Sequence, residues 1–482
     1  MRPRLSALSA LCCALALIAC EEAPRDSGRL IQIVDEESRN PVAGLGTGEL
    51  RFEIDQGGPE HRQTIVDRYS AGTFDIPVVI ESYVAPTRIS VTIQPAEGEP
   101  GGPRIGAVPA FIPFSVGFAR VVVGAPLTCA ELIDPRLPSE RLDLALVSQQ
   151  STLWAIGGTQ RGTGTDIPLA ISAPQLTWPE ALVDPTTIGA SIEPFSQNLQ
   201  ETQAMRVGDT GAIAILSRTA AFLWTPGAGE TPISRHDGAG IGSTLADLGS
   251  EGVAIVGGGN AEPTMMTRVG QITWVDAAGA TTTTALATPR RNPAAIFVGG
   301  VLLIAGGQED GQPLFEIAPL RSNASAIPST PNDARSAPIL VRDPRHQTAA
   351  LLGGRDASGE LVGEVILVTG CPACELTALP SPDNDWTQPR EGPAVVETGR
   401  ATWILGGIGA DGNASDGADR VTVTSVATSI ASLERGLDLP RARASAAHLA
   451  QGVVVLAGGH DESDRDVDHL TICWPESLEP LD

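Results

Sequence analysis

Few residues in this chain combine the type and spacing needed to do chemistry. Cys371-Pro372-Ala373-Cys374 has the Cys-x-x-Cys spacing. That spacing serves thiol–disulfide exchange where a helix N-terminus stabilises the thiolate, and with a second pair it builds a four-cysteine zinc site. Here Glu364 to Val368 reads as a strand leading into the motif, and no second pair exists, so a local structural bridge is the better reading. Hard oxygen donors cluster at Asp411, Asn413, Ser415, Asp416 and Asp419, and again at Asp461, Asp464, Asp466 and Asp468. A calcium loop of the EF-hand kind needs glycine at its sixth position and glutamate at its twelfth; counted from Asp411 those residues are Asp416 and Thr422. A hydrated acidic turn is expected instead, with no metal and no cofactor. The six histidines, at 61, 236, 346, 448, 460 and 469, show no metal spacing, and His448 lies in an apolar strand where it reads as packed. No serine sits in a Gly-x-Ser-x-Gly elbow, the turn that exposes a hydrolase nucleophile. All 32 basic residues are arginine, so Schiff-base chemistry is excluded.

These residues are carried by a repeated unit. Leu439 to Gly459 reads as a Pro-Arg turn, a small-residue strand, a reversal at Gly452 and the β-branched run Val453-Val454-Val455, closed by Gly458-Gly459. Glycine pairs of this kind let neighbouring backbones approach closely. The order recurs at Thr288-Pro289-Arg290 with Val301 to Gly307, where Gly299-Gly300 is the reversal, and at Gln388-Pro389-Arg390 with Thr402 to Gly407. Arg141, Arg290 and Arg390 each stand 16 positions before the first glycine of a pair. The unit-ending pairs start at 157, 257, 306, 353, 406 and 458. The first step is twice the others, so a degenerate copy is expected midway, at Ala212 to Leu216, with Ser217-Arg218 in place of the glycines. That makes seven units.

A period near 50 residues that ends in Gly-Gly is the kelch pattern, and Trp386-Thr387-Gln388-Pro389-Arg390 matches that family's link between blades. Residues 126–482 therefore resemble the kelch-repeat β-propellers. The resemblance implies an all-β fold, a seven-bladed kelch-type β-propeller of four-stranded sheets around a central channel, preceded by a small β-sandwich domain. The ring must be closed, because an open edge strand would expose backbone donors and acceptors. Oxidases of this family take copper ligands from tyrosine and histidine, but the only tyrosines here, Tyr69 and Tyr83, precede the propeller. Sialidase-type Asp-box turns are not matched by Ser415-Asp416-Gly417.

The N-terminal residues point to export. Arg2 and Arg4 precede an apolar run from Leu5 to Ala19, and Leu17-Ile18-Ala19-Cys20 resembles a bacterial lipobox, so a signal peptide over 1–20 and acylation of Cys20 are expected. Glu21 after that cysteine resembles lipoproteins sorted to an outer membrane. Residues 21–28 read as a tether. Residues 29–125 carry strands at Leu30 to Val34, Glu49 to Ile54, Thr73 to Ile80, Arg88 to Ile93 and Phe118 to Val123. Through Asp35, Pro41-Val42-Ala43-Gly44 and Leu50-Arg51-Phe52-Glu53-Ile54 this segment resembles bacterial immunoglobulin-like domains, whose simplest role here is a spacer.

In an oxidising compartment the four remaining cysteines allow three pairings. Cys129 with Cys473 is favoured, since it would pin the ends of the ring, leaving Cys371 with Cys374. The loops after the glycine pairs and the Pro-Arg turns are expected to share one rim, with Arg290, Asp310, Asp356, Arg390, Asp411, Asp416, Arg441, Asp461 and Asp464 as candidate binding residues. A net charge of −25 argues against nucleic acid and anionic lipid as partners. Two functions stay open: a lipid-anchored, non-catalytic envelope protein that binds a protein or glycan, and a carbohydrate-acting epimerase or mutarotase with its site over the channel.

Overall fold

The computed structural model describes residues 30–479 apart from 36–38, 44, 56–61, 71–86, 111–117, 138–139, 150–151, 161–162, 165–168, 173–194, 197–198, 209, 219, 234–240, 260–268, 308–314, 328–334, 344–346 and 379–385. Among the described residues the chain is all-β; the single helical element is a three-residue 3-10 turn, Gly249–Glu251. The expected signal peptide, Cys20, the tether and the strand Thr73 to Ile80 lie outside the described residues.

The first sheet is antiparallel and four-stranded, in the order Arg62–Ser70, Thr47–Asp55, Thr87–Pro95, Arg104–Ala110. Its register follows from period-two alternation: Leu50 faces Ile93, Phe52 faces Val91 and Ile54 faces Ile89, and all six are fully buried. Such cross-strand pairs stabilise a sheet one face at a time. Arg62–Ser70 carries no such pattern. It is largely exposed, with Val66 at the surface, which is why the sequence showed no strand there. Beside this sheet, Leu30–Val34 and Phe118–Val122 form a parallel pair.

Five further four-stranded sheets follow in plain meander order, led in turn by the strands Gln203–Arg206, Ile241–Asp247, Ala294–Val298, Ile339–Asp343 and Ala394–Glu397. A three-stranded sheet led by Ala145–Gln149 precedes them. The final sheet, Ser445–Ala450, Val453–Ala457 and His469–Cys473, takes its fourth strand from the front of the chain, Cys129–Arg136. The disulfide Cys129–Cys473 staples that junction across 344 positions, and Cys371–Cys374 forms the local bridge.

The second strands are unbroken apolar runs, such as Val301–Ala305 and Val453–Ala457, because both of their faces are covered. Leu303 and Ala305 pack with Ala349 and Leu351 of the next sheet, whereas Leu302 and Ile304 pack with Val256 and Trp274 of the previous one. Backbone links repeat between sheets. Gly307 N–H donates to Arg335 O (3.1 Å), Gly407 N–H to Arg441 O (2.7 Å), and Gly459 N–H, in the last sheet, to Arg141 O ahead of the first (2.8 Å). Side chains tie the leading strands as well: Gln203 donates to Ser243 O and accepts from Leu245 N–H, and Ser445 Oγ accepts from Leu146 N–H.

The N-terminal sheet is fused to this array. Leu50, Phe52, Ile89 and Val121 belong to one continuous core with Leu132, Leu146, Leu449, Val453 and Trp474. At the contact, a Cβ on Gly124 would stand 2.4 Å from the Trp474 ring. Gly124→Ala is therefore expected to cost about 1–3 kcal/mol by overpacking, read as a lower urea midpoint at unchanged slope; an unshifted midpoint would mean this contact is loose.

Candidate functional site

The three arginines expected on an exposed rim are interior. Arg290, Arg390 and Arg441 are each at most 1% exposed. Arg290 Nη1 donates to Gly306 O (2.6 Å) while its Nε and Nη2 reach Glu316 Oε1 (both 2.9 Å). Arg441 donates to Gly458 O (3.0 Å), Glu131 Oε1 (3.0 Å) and Thr471 Oγ1 (3.3 Å). Arg390 donates to Ile404 O and to Asp419 Oδ2 (2.6 Å), which also accepts from Trp386 Nε1 (2.8 Å). Arg141 and Arg335 repeat the pattern on Gly157 O and Gly353 O. Burial lowers the pKa of Arg141, to about 10, and those of Arg290, Arg390 and Arg441, where the carboxylate partners oppose the shift. The reason is geometric. At Gly306 and Gly458 the first glycine of the pair is left-handed (φ 68°) and its carbonyl accepts from the buried arginine, whose charge, buried there, is met by Glu316 and Glu131. The Pro-Arg turns are therefore struts, not a binding rim.

Of the expected acids, Asp310 lies outside the described residues. Asp356, Asp411 and Asp461 fold back on their own loops: Asp356 accepts from Ser358 Oγ and from the N–H groups of Ser358 and Glu360, Asp411 from Asn413, and Asp461 from the N–H groups of Ser463 and Arg465. These bonds hold the Asp356 carboxyl below its usual range, led by the Ser358 hydroxyl, and that of Asp411 below it, led by Asn413 N–H. They form turns that satisfy themselves. Asp416 is exposed, within electrostatic reach of Arg390. Among the described residues no group of three His, Cys, Asp or Glu side chains could hold a metal ion.

What the sequence did not reveal is a cavity of about 710 Å³ lined by seven separate segments: 143–146, 201–205, 242–245, 292–295, 337–340, 392–395 and 443–446. Each segment opens on a left-handed residue: Asp143 (φ 51°), Glu201 (48°), Gly242 (68°), Asn292 (52°), Ala337 (46°), Gly392 (57°) and Arg443 (56°). Five of them stand two positions after a strut arginine, at 141, 290, 335, 390 and 441. The turn out of the strut demands the conformation whatever the side chain, and non-glycine residues tolerate it only where surrounding structure enforces it.

The cavity has two unlike sides. On one, Arg443 Nε and Nη2 donate to the two oxygens of Asp143, and Glu201 stands beside Arg218 at 3.9 Å. The Asp143 carboxylate raises the pKa of Arg443, with Glu201 and Asp464 adding to it. Asp464 is thus the one expected rim residue brought toward the cavity. On the other side, proline follows the left-handed residue three times running, at Pro293, Pro338 and Pro393, with alanine, isoleucine and valine behind. The six described tryptophans are all buried and none lines the cavity.

His448 sits near the far end of its leading strand, where Nε2 accepts from Gly452 N–H (3.0 Å). Burial lowers its pKa below 6.5, opposed by Glu479. The unfolded chain therefore takes up this proton first as pH falls below 6.5, and stability contributed by the neutral ring is lost on acidification, by at most about 1.4 kcal/mol per pH unit. His448→Gln is expected to melt with a shallower dependence between neutral and mildly acidic pH; an identical dependence would exclude His448 as a contributor.

No protein-family model matches the chain, and no curated protein is significantly similar to it.

Proposed function

We propose that this chain is a lipid-anchored protein of the bacterial cell envelope. In this reading residues 126–482 form a seven-bladed kelch-type propeller behind an immunoglobulin-like domain, and the propeller binds a protein or glycan without catalysis. Export, acylation of Cys20 and an outer-membrane address rest on the N-terminal sequence motif. Seven leading strands, the backbone link from Gly459 back to Arg141 and the stapled last sheet support the ring. The observation that carries the functional reading is the cavity, framed by seven enforced turns, a size suited to a small ligand or an inserted side chain. Binding is therefore assigned to the cavity mouth in place of the loop acids.

Convergence of Asp143, Glu201 and Arg443 on a channel favours the enzymatic alternative by position. Both Asp143 oxygens are occupied by Arg443, however, so that carboxylate is held as a structural partner and not poised as a base. Affinity capture from envelope extract tests the reading, with the chain from residue 21 immobilised through carboxylates because it has no lysine. One protein partner retained by the parent chain and lost by Glu201→Ala, a change on the cavity lining, is expected. Retention of sugar alone, or of nothing, would overturn the protein-binding form and call for sugar-turnover assays.

A further inference from the structure

Polar groups around the cavity divide into those already engaged and those left over. Gln203 spends both ends of its amide on Ser243 O and Leu245 N–H, Thr244 Oγ1 donates to Pro293 O, Ser445 Oγ accepts from Leu146 N–H, and Ser243 Oγ donates to Gly257 O. Asp143 is taken by Arg443. What remains among the described residues is Glu201, 44% exposed, 3.9 Å from Arg218 and within electrostatic reach of Arg443, together with Arg443 Nη1 and the Asn292 side chain. Across from Glu201 and Arg443, on the side that Asn292 opens, is an aliphatic wall of Pro293, Ala294, Pro338, Ile339, Pro393 and Val395, whose three prolines offer no backbone donor. Among the described lining residues carboxylates outnumber cations two to one, Asp143 and Glu201 against Arg443, with Arg218 beside Glu201 at 3.9 Å. Asp464 adds a further negative charge near Arg443, and the chain carries −25 overall.

From this division we infer that the cavity is a socket for an unmodified primary ammonium on an aliphatic stem, the lysine side chain of a basic protein partner. The inference rests on the binding reading above and names its ligand. A methylene stem of lysine length suits an aliphatic wall, as such stems cover apolar surface while the ammonium stays polar. The ammonium is a compact donor that needs no planar fork, and Glu201 supplies its charged acceptor. A methylated ammonium would call for an aromatic cage, and a sugar ring for an aromatic platform; among the described residues no aromatic side chain lines the cavity. An acidic ligand meets the repulsion of Glu201 and of the whole chain, whereas a cationic partner is steered in. With no lysine of its own, the chain offers no competing occupant of this class.

The test is saturation-transfer NMR on the full-length chain with N-α-acetyl-lysine methylamide as probe, beside its Nζ-acetyl derivative. Saturation of the lysine methylenes is expected, falling with added salt. Affinity should drop about tenfold or more, the scale of one charge-assisted hydrogen bond, for the Nζ-acetyl form and for Glu201→Gln at an unchanged melting temperature. Glu201 is exposed, so that variant should fold. Equal binding of the two probes, equal binding by Glu201→Gln, or no saturation at all would overturn the inference. If the probe fails while Glu201→Ala still loses a captured partner, the binding reading stands and the lysine assignment falls. If the probe binds as expected and also displaces the captured partner, free amine and protein-borne lysine share the socket, and both stand.

Discussion

Truncating Asp419 to alanine is expected to cost about 3–5 kcal/mol of folding stability, the penalty for stranding one member of a buried ion pair. Arg390 and Asp419 are both about 1% exposed. Asp419 also accepts from Trp386 Nε1 and from Ser432 Oγ, and Arg390 lies 5.0 Å from the centre of the Trp386 ring. Alanine would leave a guanidinium without its counter-charge and an indole N–H without an acceptor, inside a packed core. The double variant Arg390→Met with Asp419→Leu should recover much of the loss, because it removes the buried charge altogether. Equilibrium denaturation checks both. A single variant within about 0.5 kcal/mol of the parent chain, the scale of a surface substitution, would mean that the strut carries no weight. Glu316→Ala, opposite fully buried Arg290, should behave alike.

Replacing Cys129 and Cys473 by serine is expected to destabilise the chain by about 5–6 kcal/mol, since the bridge closes a loop of 344 positions and chain-entropy loss grows with the logarithm of loop length. Cys371 and Cys374 are separated by three positions, and the same relation gives about 2 kcal/mol. Removing the long bridge should also expose Cys129–Arg136 to hydrogen exchange ahead of every other strand of the last sheet, because that strand is held by pairing with His469–Cys473 and by the Arg441–Glu131 contact. Equal losses for the two bridges would contradict a last sheet held shut at that seam.

Much of the architecture was legible because it recurs. The Gly pairs, the Pro-Arg turns and the unbroken apolar runs each mark one sheet, and the midway unit at Ala212 to Leu216 coincides with the strand Ile213–Leu216. The pairing of Cys129 with Cys473 was legible from their positions at opposite ends of the repeats. The fate of the arginines was not. A Pro-Arg turn looks like surface until its partner is known, and the partners lie 26 to 29 residues downstream at Glu316, Glu364 and Asp419, or 310 residues away at Glu131. The spacing to the glycine pair was visible; the inward carbonyl that gives it meaning was not. The cavity was less legible still. Its framing positions hold Asp, Glu, Gly, Asn, Ala, Gly and Arg, so no residue type marks them, and its walls join segments from 143 to 446. The fusion of the N-terminal sheet to the array was hidden likewise, because Trp474 and Gly124 meet only in space.

Hydrogen exchange read by mass spectrometry, with and without the captured partner, tests the binding assignment most directly. Protection should concentrate on the cavity segments 143–146, 201–205 and 443–446, leaving the acidic loops at 356–360, 411–416 and 461–466 unchanged. Protection confined to those loops, or to the N-terminal sheet, with the cavity segments unaffected, would contradict binding at the cavity mouth.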